Sequence, residues 1–273
     1  MYQRESHWGL RATVLGLTVA AAALGNAFPS IISSFRMSGD TPPYARGIYY
    51  YTDVFGIFYN GVGTNYLYRF TTAGSLISSA LLPNANVLGD ADWAPPGYPA
   101  YGYFGVIDEG TDELKVYTTA GSYAGVARTL SADTVGYGVG GHVVNYIYLG
   151  TASGVISCFK PDWNLYNMYS TNVPLSDLAA GRGYGGMWGD FVFLGPSQPP
   201  PYVRAYYGLS GYLVGSFALP GNASCGAVYA GWGRSYMWCL RDTGSERWAY
   251  QIDTGPLMDI EPASFGSIKA LYR

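Results

Sequence analysis

One short phrase returns five times along this chain, at a spacing that few architectures use. Phe70 to Ser75 reads FTTAGS and Tyr117 to Ser122 reads YTTAGS. Weaker copies start at Phe159 (FKPDWN), Tyr206 (YYGLSG) and Ile252 (IDTG), so the intervals are 47, 42, 47 and 46 residues. Strand-rich units repeating every 40–50 residues or so indicate a β-propeller in which each repeat is one four-stranded blade.

The repeat unit has a physical reading. Upstream of the anchors lie short apolar and aromatic runs: Tyr66-Leu67-Tyr68, Leu114-Lys115-Val116, Val155-Ile156-Ser157, Val203-Arg204-Ala205 and Trp248-Ala249-Tyr250. Behind each Gly/Ser-rich turn comes a second alternating run, such as Leu76 to Leu81 or Tyr212 to Leu219. Alternating runs joined by short glycine-containing turns are β-hairpins. Two further runs precede each pair, which makes four strands per repeat, A to D from the centre outward. No long stretch outside the N-terminus shows a 3.6-residue apolar period, and 38 Gly and 16 Pro interrupt any helix. The expected fold is an all-β propeller of five blades; six is the alternative if Leu257 to Arg273 builds another partial blade.

Both ends of the chain bear on closure. The last repeat has A, B and C strands but no D strand after it. The orphan run Ser30, Ile31, Ile32, Ser33, Ser34, Phe35 matches the D-strand pattern, so it is expected to complete the last blade and close the ring. Residues 28–256 then form the propeller, about 245 residues with the tail, enough for one continuous core, and 257–273 a C-terminal extension packed on it. Residues 1–27 differ in kind. Arg4 and Arg11 bracket a polar start, Ala12 to Leu24 is an apolar stretch of 13 residues, and Gly25-Asn26-Ala27 supplies small residues at a cleavage site. That is a secretory signal peptide, too short to cross ~30 Å of hydrocarbon as a helix; an uncleaved N-terminal helix is the alternative. The expected location is secreted or cell-surface, with no transmembrane anchor after leader removal.

Chemistry-bearing residues are sparse. Past residue 27, His142 is the only histidine, and no G-x-S-x-G context surrounds a serine. Glycine-rich Gly181 to Gly189 contains no phosphate-loop lysine. A net charge of −3 with three lysines gives no basic stripe for nucleic acid. No metal site and no cofactor are expected. The acidic run Asp108 to Glu113 (DEGTDE) lacks the alternating oxygen ligands of a calcium loop and reads as a B–C turn.

Carboxylates are the main candidates. Asp90 and Asp92 fall on the A strand of blade two, Asp133 and Asp177 at the entrances to blades three and four, and Arg182 on the A strand of blade four. Converging on the channel mouth, they could bind a cation or act as an acid–base pair on a glycoside; the plainer alternative is solvated turn residues or partners of Arg46 and Arg182. Trp93, Trp188 and Trp232 recur at comparable phases and offer aromatic contacts to sugars or proteins, or interblade packing. Cys225 and Cys239 would face each other across a hairpin, as a disulfide or as two buried thiols, leaving Cys158 in the core.

The phrases YLYRFTTAGSLISS (66–79), ELKVYTTAGSYAG (113–125) and ARGIYYY (45–51) resemble the repeats of secreted bacterial β-propellers of the NHL-like broad superfamily. The usual Trp-Asp-Gly or Asn-Gly at the A–B turn is degraded here. Five repeats of this length are also similar in architecture to tachylectin-like lectins. Fold and export are what these resemblances imply; fold analogy does not specify activity.

Three functions fit. The first is a non-catalytic structural or interaction protein outside the cell, a subunit of a surface assembly or filament. It is favoured by a charged fraction of only 12 %, below the ~25–35 % suited to a soluble monomer's surface. The second is a lectin-like binder of glycans, and the third a glycosidase using the channel carboxylates. Expected partners are other protein subunits, copies of this chain included, or glycans, and not nucleic acid.

Overall fold

The computed structural model describes residues 31–37, 44–99, 101–140, 146–182, 190–196, 202–218, 223–229, 236–242 and 246–253. The leader, the tail 257–273, Ser30, His142, Trp188 and Trp232 lie outside the described residues. Among those described there is no helix, and the strands pair into five four-stranded antiparallel sheets. The chain begins with β1 (Ile31–Arg36), which stands apart from the strands that follow it. Next comes a meander of β2 (Tyr44–Tyr50), β3 (Val54–Tyr59), β4 (Asn65–Phe70) and β5 (Leu76–Leu82). The second sheet is β6 (Leu88–Trp93), β7 (Tyr103–Asp108), β8 (Glu113–Thr118) and β9 (Tyr123–Thr129). The third is β10 (Thr134–Val139), β11 (Ile147–Thr151), β12 (Val155–Phe159) and β13 (Leu165–Ser170). The fourth is β14 (Leu175–Arg182), β15 (Asp190–Pro196), β16 (Tyr202–Tyr207) and β17 (Leu213–Ala218). The last joins β18 (Ala223–Tyr229), β19 (Tyr236–Asp242) and β20 (Arg247–Asp253) to β1, its outer strand.

The inner strands lie side by side in a ring: β2 against β6, β6 against β10, β10 against β14, β14 against β18, and β18 back against β2. This is a β-propeller. The N-terminal strand pairs with β20 in register Ser34 to Tyr250 and Phe35 to Ala249. Among the described residues it spans Ile31–Arg36, reaching one residue past the Phe35 at which the sequence pattern ended.

The repeated phrase is a repeated turn. In FTTAGS the Thr71 N–H donates to the Ser75 carbonyl (2.9 Å), and Thr71 Oγ1 accepts from the Ser75 N–H (3.0 Å). In YTTAGS the Thr118 and Ser122 pair repeats both bonds at the same lengths. The fifth position is left-handed, Gly74 at φ 89° and Gly121 at φ 88°, where a side chain would be strained. The degraded copy FKPDWN keeps the turn, Lys160 N–H to the Asn164 carbonyl, with Trp163 in the left-handed slot at φ 63°.

Each such turn packs on the outer strand of the preceding sheet. A Cβ at Gly121 would lie 2.8 Å from Ala80 Cβ on β5, and one at Gly211 would run into the Tyr169 ring on β13. Trp163 receives the Arg128 guanidinium of β9, 5.1 Å from its ring centre. Gly74 meets Phe35 of β1 in the same way, at 2.6 Å. The closing strand therefore occupies a blade's outer position in packing as well as in pairing.

The core is a set of wedges between neighbouring sheets. Phe35, Met37, Ile48, Val54, Phe58, Phe70 and Trp238 fill one of them. Tyr49, Phe55, Phe104, Val106 and Tyr117 fill the next, with Tyr49 and Phe104 stacked at 5.4 Å. Middle strands are covered on both sides and read as near-continuous apolar runs, β3 (VFGIFY) being buried at five of six positions. Outer strands are different: β5 and β13 expose Leu76, Ile77, Leu81, Leu165, Tyr166 and Met168.

Candidate functional site

At the centre of the ring the inner strands come unusually close. A Cβ on Gly138 of β10 would sit 2.6 Å from the Ala180 nitrogen of β14, and one on Gly136 would sit 2.5 Å from Leu178 Cβ. The inner edge of a propeller's first strand carries main-chain N–H groups with no ladder partner, and these need acceptors. Here side chains supply them.

Asp90 and Asp92 stand two residues apart on β6 and so project to the same side. Asp90 Oδ2 accepts from the N–H of Tyr137 on β10 (2.7 Å) and of Leu178 on β14 (3.1 Å). Asp92 Oδ2 accepts from Val139 on β10 (2.9 Å), and its carboxyl also receives the Ala180 N–H of β14. Each Oδ1 turns back to the following residue, Ala91 at 2.7 Å and Trp93 at 2.7 Å. The period of two on β6 thus matches a period of two on β10 and on β14. Two carboxyls bind three inner strands together.

Asp177 joins them from β14. Its Oδ1 accepts from Leu178 N–H (3.0 Å), and its carboxyl hydrogen-bonds to that of Asp90. The three aspartates are 2 %, 1 % and 3 % exposed in chain order. Burial, then the adjacent Asp177 carboxyl, holds Asp90 well above the ordinary carboxylate range; burial does the same to Asp92 against the pull of its N–H donors. Asp177 is pushed up to about 8, again chiefly by burial, with the Cys239 thiol and Asp92 nearby. A carboxyl–carboxyl hydrogen bond requires a proton, and this cluster keeps one at neutral pH.

Aromatic groups cap the cluster. Tyr137 O–H donates to the Trp93 carbonyl. The buried Tyr49 hydroxyl has no hydrogen-bond partner among the described residues, and burial followed by the Asp92 carboxyl pushes its phenol upward. Trp93 is half-buried and meets Tyr49, Tyr51 and Tyr101 edge-on at 6.4, 5.8 and 6.4 Å, with Tyr101 largely exposed.

The other residues singled out from sequence fall elsewhere. Asp133 is exposed in the turn before β10, where its carbonyl accepts from Ala152 N–H, and it does not join the central carboxyls. Arg182 ends β14 opposite Asp190, and its side chain lies outside the described part. Cys225 and Cys239 are opposite each other in the β18–β19 ladder, yet Cys239 is a buried free thiol, so the disulfide considered from sequence is not formed here. The register shifts directly after Cys225, which twists the ladder at that pair. Among the described residues no group of three or more His, Cys, Asp or Glu is arranged to hold a metal, and no helix is long and apolar enough to cross a membrane.

One buried ion pair escaped the sequence reading. Asp108 accepts from the N–H of Asn86 and Val87 (both 2.9 Å) and Gly110 (3.0 Å), and from Lys115 Nζ (2.6 Å). Lys115 also donates to the Asn84 carbonyl at 2.7 Å. Burial opposes its charge, but Lys115 and the N–H donors outweigh that and hold Asp108 below its ordinary range. DEGTDE is a β7–β8 turn pinned to the loop between β5 and β6.

Comparison with known proteins yields no family and only distant structural likenesses. The chain matches no protein-family profile and no curated protein sequence. Among solved structures it is similar to the crystal structure of BBS1N in complex with ARL6DN, soaked with lead. That match has a TM-score of 0.40 and 13 % identity, over 81 % of this chain and 60 % of that one. The same complex soaked with mercury matches at 0.40 and 13 %, over 83 % and 62 %. This chain therefore spans about three fifths of the length of those chains.

Proposed function

We propose that this protein is a non-catalytic interaction protein of the cell exterior: a five-bladed ring, one blade per sheet, that binds other protein subunits through its perimeter. The observation that carries this reading is the way the central carboxyls are used. Asp90, Asp92 and Asp177 have the chemistry of an acid–base set, but their oxygens are committed to main-chain N–H groups and to each other beneath a covered surface. A glycosidase needs two carboxyls reaching either side of a bound sugar. Asp133, the fourth member of such a set, is far from their arrangement in both burial and partners. The perimeter has the opposite character, with apolar side chains exposed on β1, β5, β9, β13 and β17. Export is supported by the leader pattern of residues 1–27.

Intact mass and light scattering of the exported protein test the reading. Ordered multimers of a chain cleaved after Ala27 are the expected result. A chain that is monomeric at every concentration and hydrolyses a glycoside overturns it. A lectin-like second reading has one observation in its favour: Tyr51, Trp93 and Tyr101 form an edge-on aromatic group with Tyr101 exposed, the kind of surface that stacks on a sugar ring. It predicts saturable glycan binding that Tyr101→Ala abolishes.

A further inference from the structure

We infer that two copies of this chain exchange β1, so that each copy's N-terminal strand completes the last sheet of the other. This deepens the interaction reading above and rests on it. Four of the five outer strands are tied to their own sheet by a hairpin: β5 to β4, β9 to β8, β13 to β12 and β17 to β16. β1 is not. It lies on β20, yet the chain that leaves it runs on to β2 in the neighbouring sheet. A strand tied to the ring at one end can come away by local unfolding without opening a hairpin.

That connection is also the longest of its kind. Seven residues (37–43) separate β1 from β2, against five between β5 and β6 and four at each of the other three outer-to-inner steps. Two or three extra residues add about 7–10 Å of reach, which carries the strand to a second ring set against the first.

The place that β1 fills is specific. Phe35 packs on Phe70 and Trp238 at 5.8 and 6.0 Å, and the buried Met37 donates its N–H to the Arg247 carbonyl (2.9 Å). The occupant that reproduces these contacts is the same strand of a second copy. It takes the same register, Ser33 to Gln251 and Phe35 to Ala249, and brings along the irregularity between Ile31 and Ser33.

Reciprocal exchange loses two closures and regains two, which makes it a low-cost route to a dimer. Closure within one chain still has the advantage of a high effective concentration, so the dimer needs contacts that a single ring lacks. Both ends of the connection lie where outer strands pass to inner ones, and exchange sets those ends of two rings face to face. There the first sheet presents Tyr44 at the start of β2, Val62 in the β3–β4 turn and Leu81 near the end of β5, which are 55 %, 71 % and 55 % exposed. The corresponding β7–β8 turn of the second sheet is the acidic run Asp108 to Glu113. The apolar groups of both first sheets meet across a two-fold axis and leave water together.

The test uses the full chain. Ser33 Oγ donates to Gln251 Oε1 across the β1–β20 ladder (3.0 Å), so cysteines at these two positions can bond. A chain with Ser33→Cys is mixed with a chain with Gln251→Cys, concentrated, and then mildly oxidised. The expected result is a covalent mixed dimer, seen as a shift from the monomer band on a non-reducing gel. The wild-type chain, with its own buried Cys158 and Cys239, is the control and should not shift. Val62→Lys sets like charges face to face and is expected to raise the concentration midpoint of dimer formation about tenfold or more, with its urea unfolding midpoint unchanged. Dimers indifferent to Val62→Lys overturn the facing arrangement. A doubly substituted chain that cross-links within itself, together with a mixture that yields no mixed dimer, overturns the exchange. Multimers that persist in light scattering in that case leave the interaction reading standing through another surface. A wild-type chain that stays monomeric at every concentration overturns both.

Discussion

The centre and the rim of this ring are built from strands of the same length and the same repeat, and they handle the unpaired strand edge in opposite ways. At the centre, β6, β10 and β14 are drawn so near that glycines replace side chains, and the inner N–H groups of Tyr137, Val139, Leu178 and Ala180 are taken by carboxyls. At the rim, β5 meets solvent with Leu76, Ile77 and Leu81. An edge that is closed internally becomes part of the core. An edge left open is available to a partner. That difference assigns the aspartates to stability, the reverse of what clustered carboxylates in a propeller channel first suggest, and leaves the perimeter as the surface on which the proposed interaction would form.

The largest effect expected at the centre is that of Asp90→Ala. It strands the buried N–H groups of Tyr137 and Ala91, leaves Leu178 N–H to Asp177 alone and removes the partner of Asp177, so a loss of about 3–5 kcal/mol in urea unfolding is expected. Asp90→Asn is the sharpening control. It keeps an acceptor for Tyr137 and Leu178 and adds donors for Asp177, and the loss should stay within about 1.5 kcal/mol. Equal losses from the two variants would break the comparison, because the carboxyl would then matter through its charge rather than as an acceptor.

Next comes pH. A carboxyl whose proton is held more tightly in the folded chain contributes stability that is full below the unfolded value near ~4 and lost as pH rises through the folded value. With Asp177 at about 8, and Asp90 and Asp92 also raised, the central contribution declines as pH rises from roughly 4 through 8. Asp108 has the opposite sign: its contribution is present above the unfolded value and lost as pH falls through its depressed one. Unfolding free energy measured from pH 3 to 10 should therefore pass through an acidic-side maximum, and Asp90→Asn should flatten the alkaline decline. A curve that rises from pH 5 to 9 contradicts the shared proton.

Gly138→Ala probes the same region sterically. Its methyl group would sit 2.6 Å from the Ala180 nitrogen, a main-chain atom that cannot swing away, and about 1–3 kcal/mol should be lost. The smallest effect belongs to the rim. Leu165→Ser or Met168→Ser, both on exposed positions of β13, should change folding stability by no more than about 0.5 kcal/mol.

Much of the fold was legible because the repeat encodes a turn whose bonds depend on a few residue types. Thr71 and Thr118 supply both a main-chain and a hydroxyl contact, and Gly74 and Gly121 supply the left-handed step. FKPDWN was legible only through its spacing, since Trp163 occupies a position where glycine is the expected residue. The closing strand could be found because SIISSF repeats the alternation of an outer strand. The site was legible only in part. Sequence put Asp90 and Asp92 on an inner strand, as the structure does, and Asp177 at the entrance to blade four, where the structure has it inside β14. It put Asp133 with them because strand entrances are the least sharply encoded part of a repeat, and Asp133 falls in the exposed turn. What those carboxyls do depends on the spacing between β10 and β14, which is set by Gly136 and Gly138 meeting Leu178 and Ala180 some 40 residues away. A pattern read along one strand carries no signal of that distance. Cys225 and Cys239 make a related point: their opposition in the ladder was legible from the sequence, and Cys239 is nonetheless a free thiol.

Amide hydrogen exchange at Tyr137, Val139, Leu178 and Ala180 tests the sealed centre most directly. In an open, water-filled channel these inward N–H groups would face solvent and exchange within minutes. Held by Asp90 and Asp92, they are predicted to exchange only through global unfolding, as slowly as the most protected amides of the middle strands. Fast exchange at these four positions in an otherwise protected ring would contradict the account.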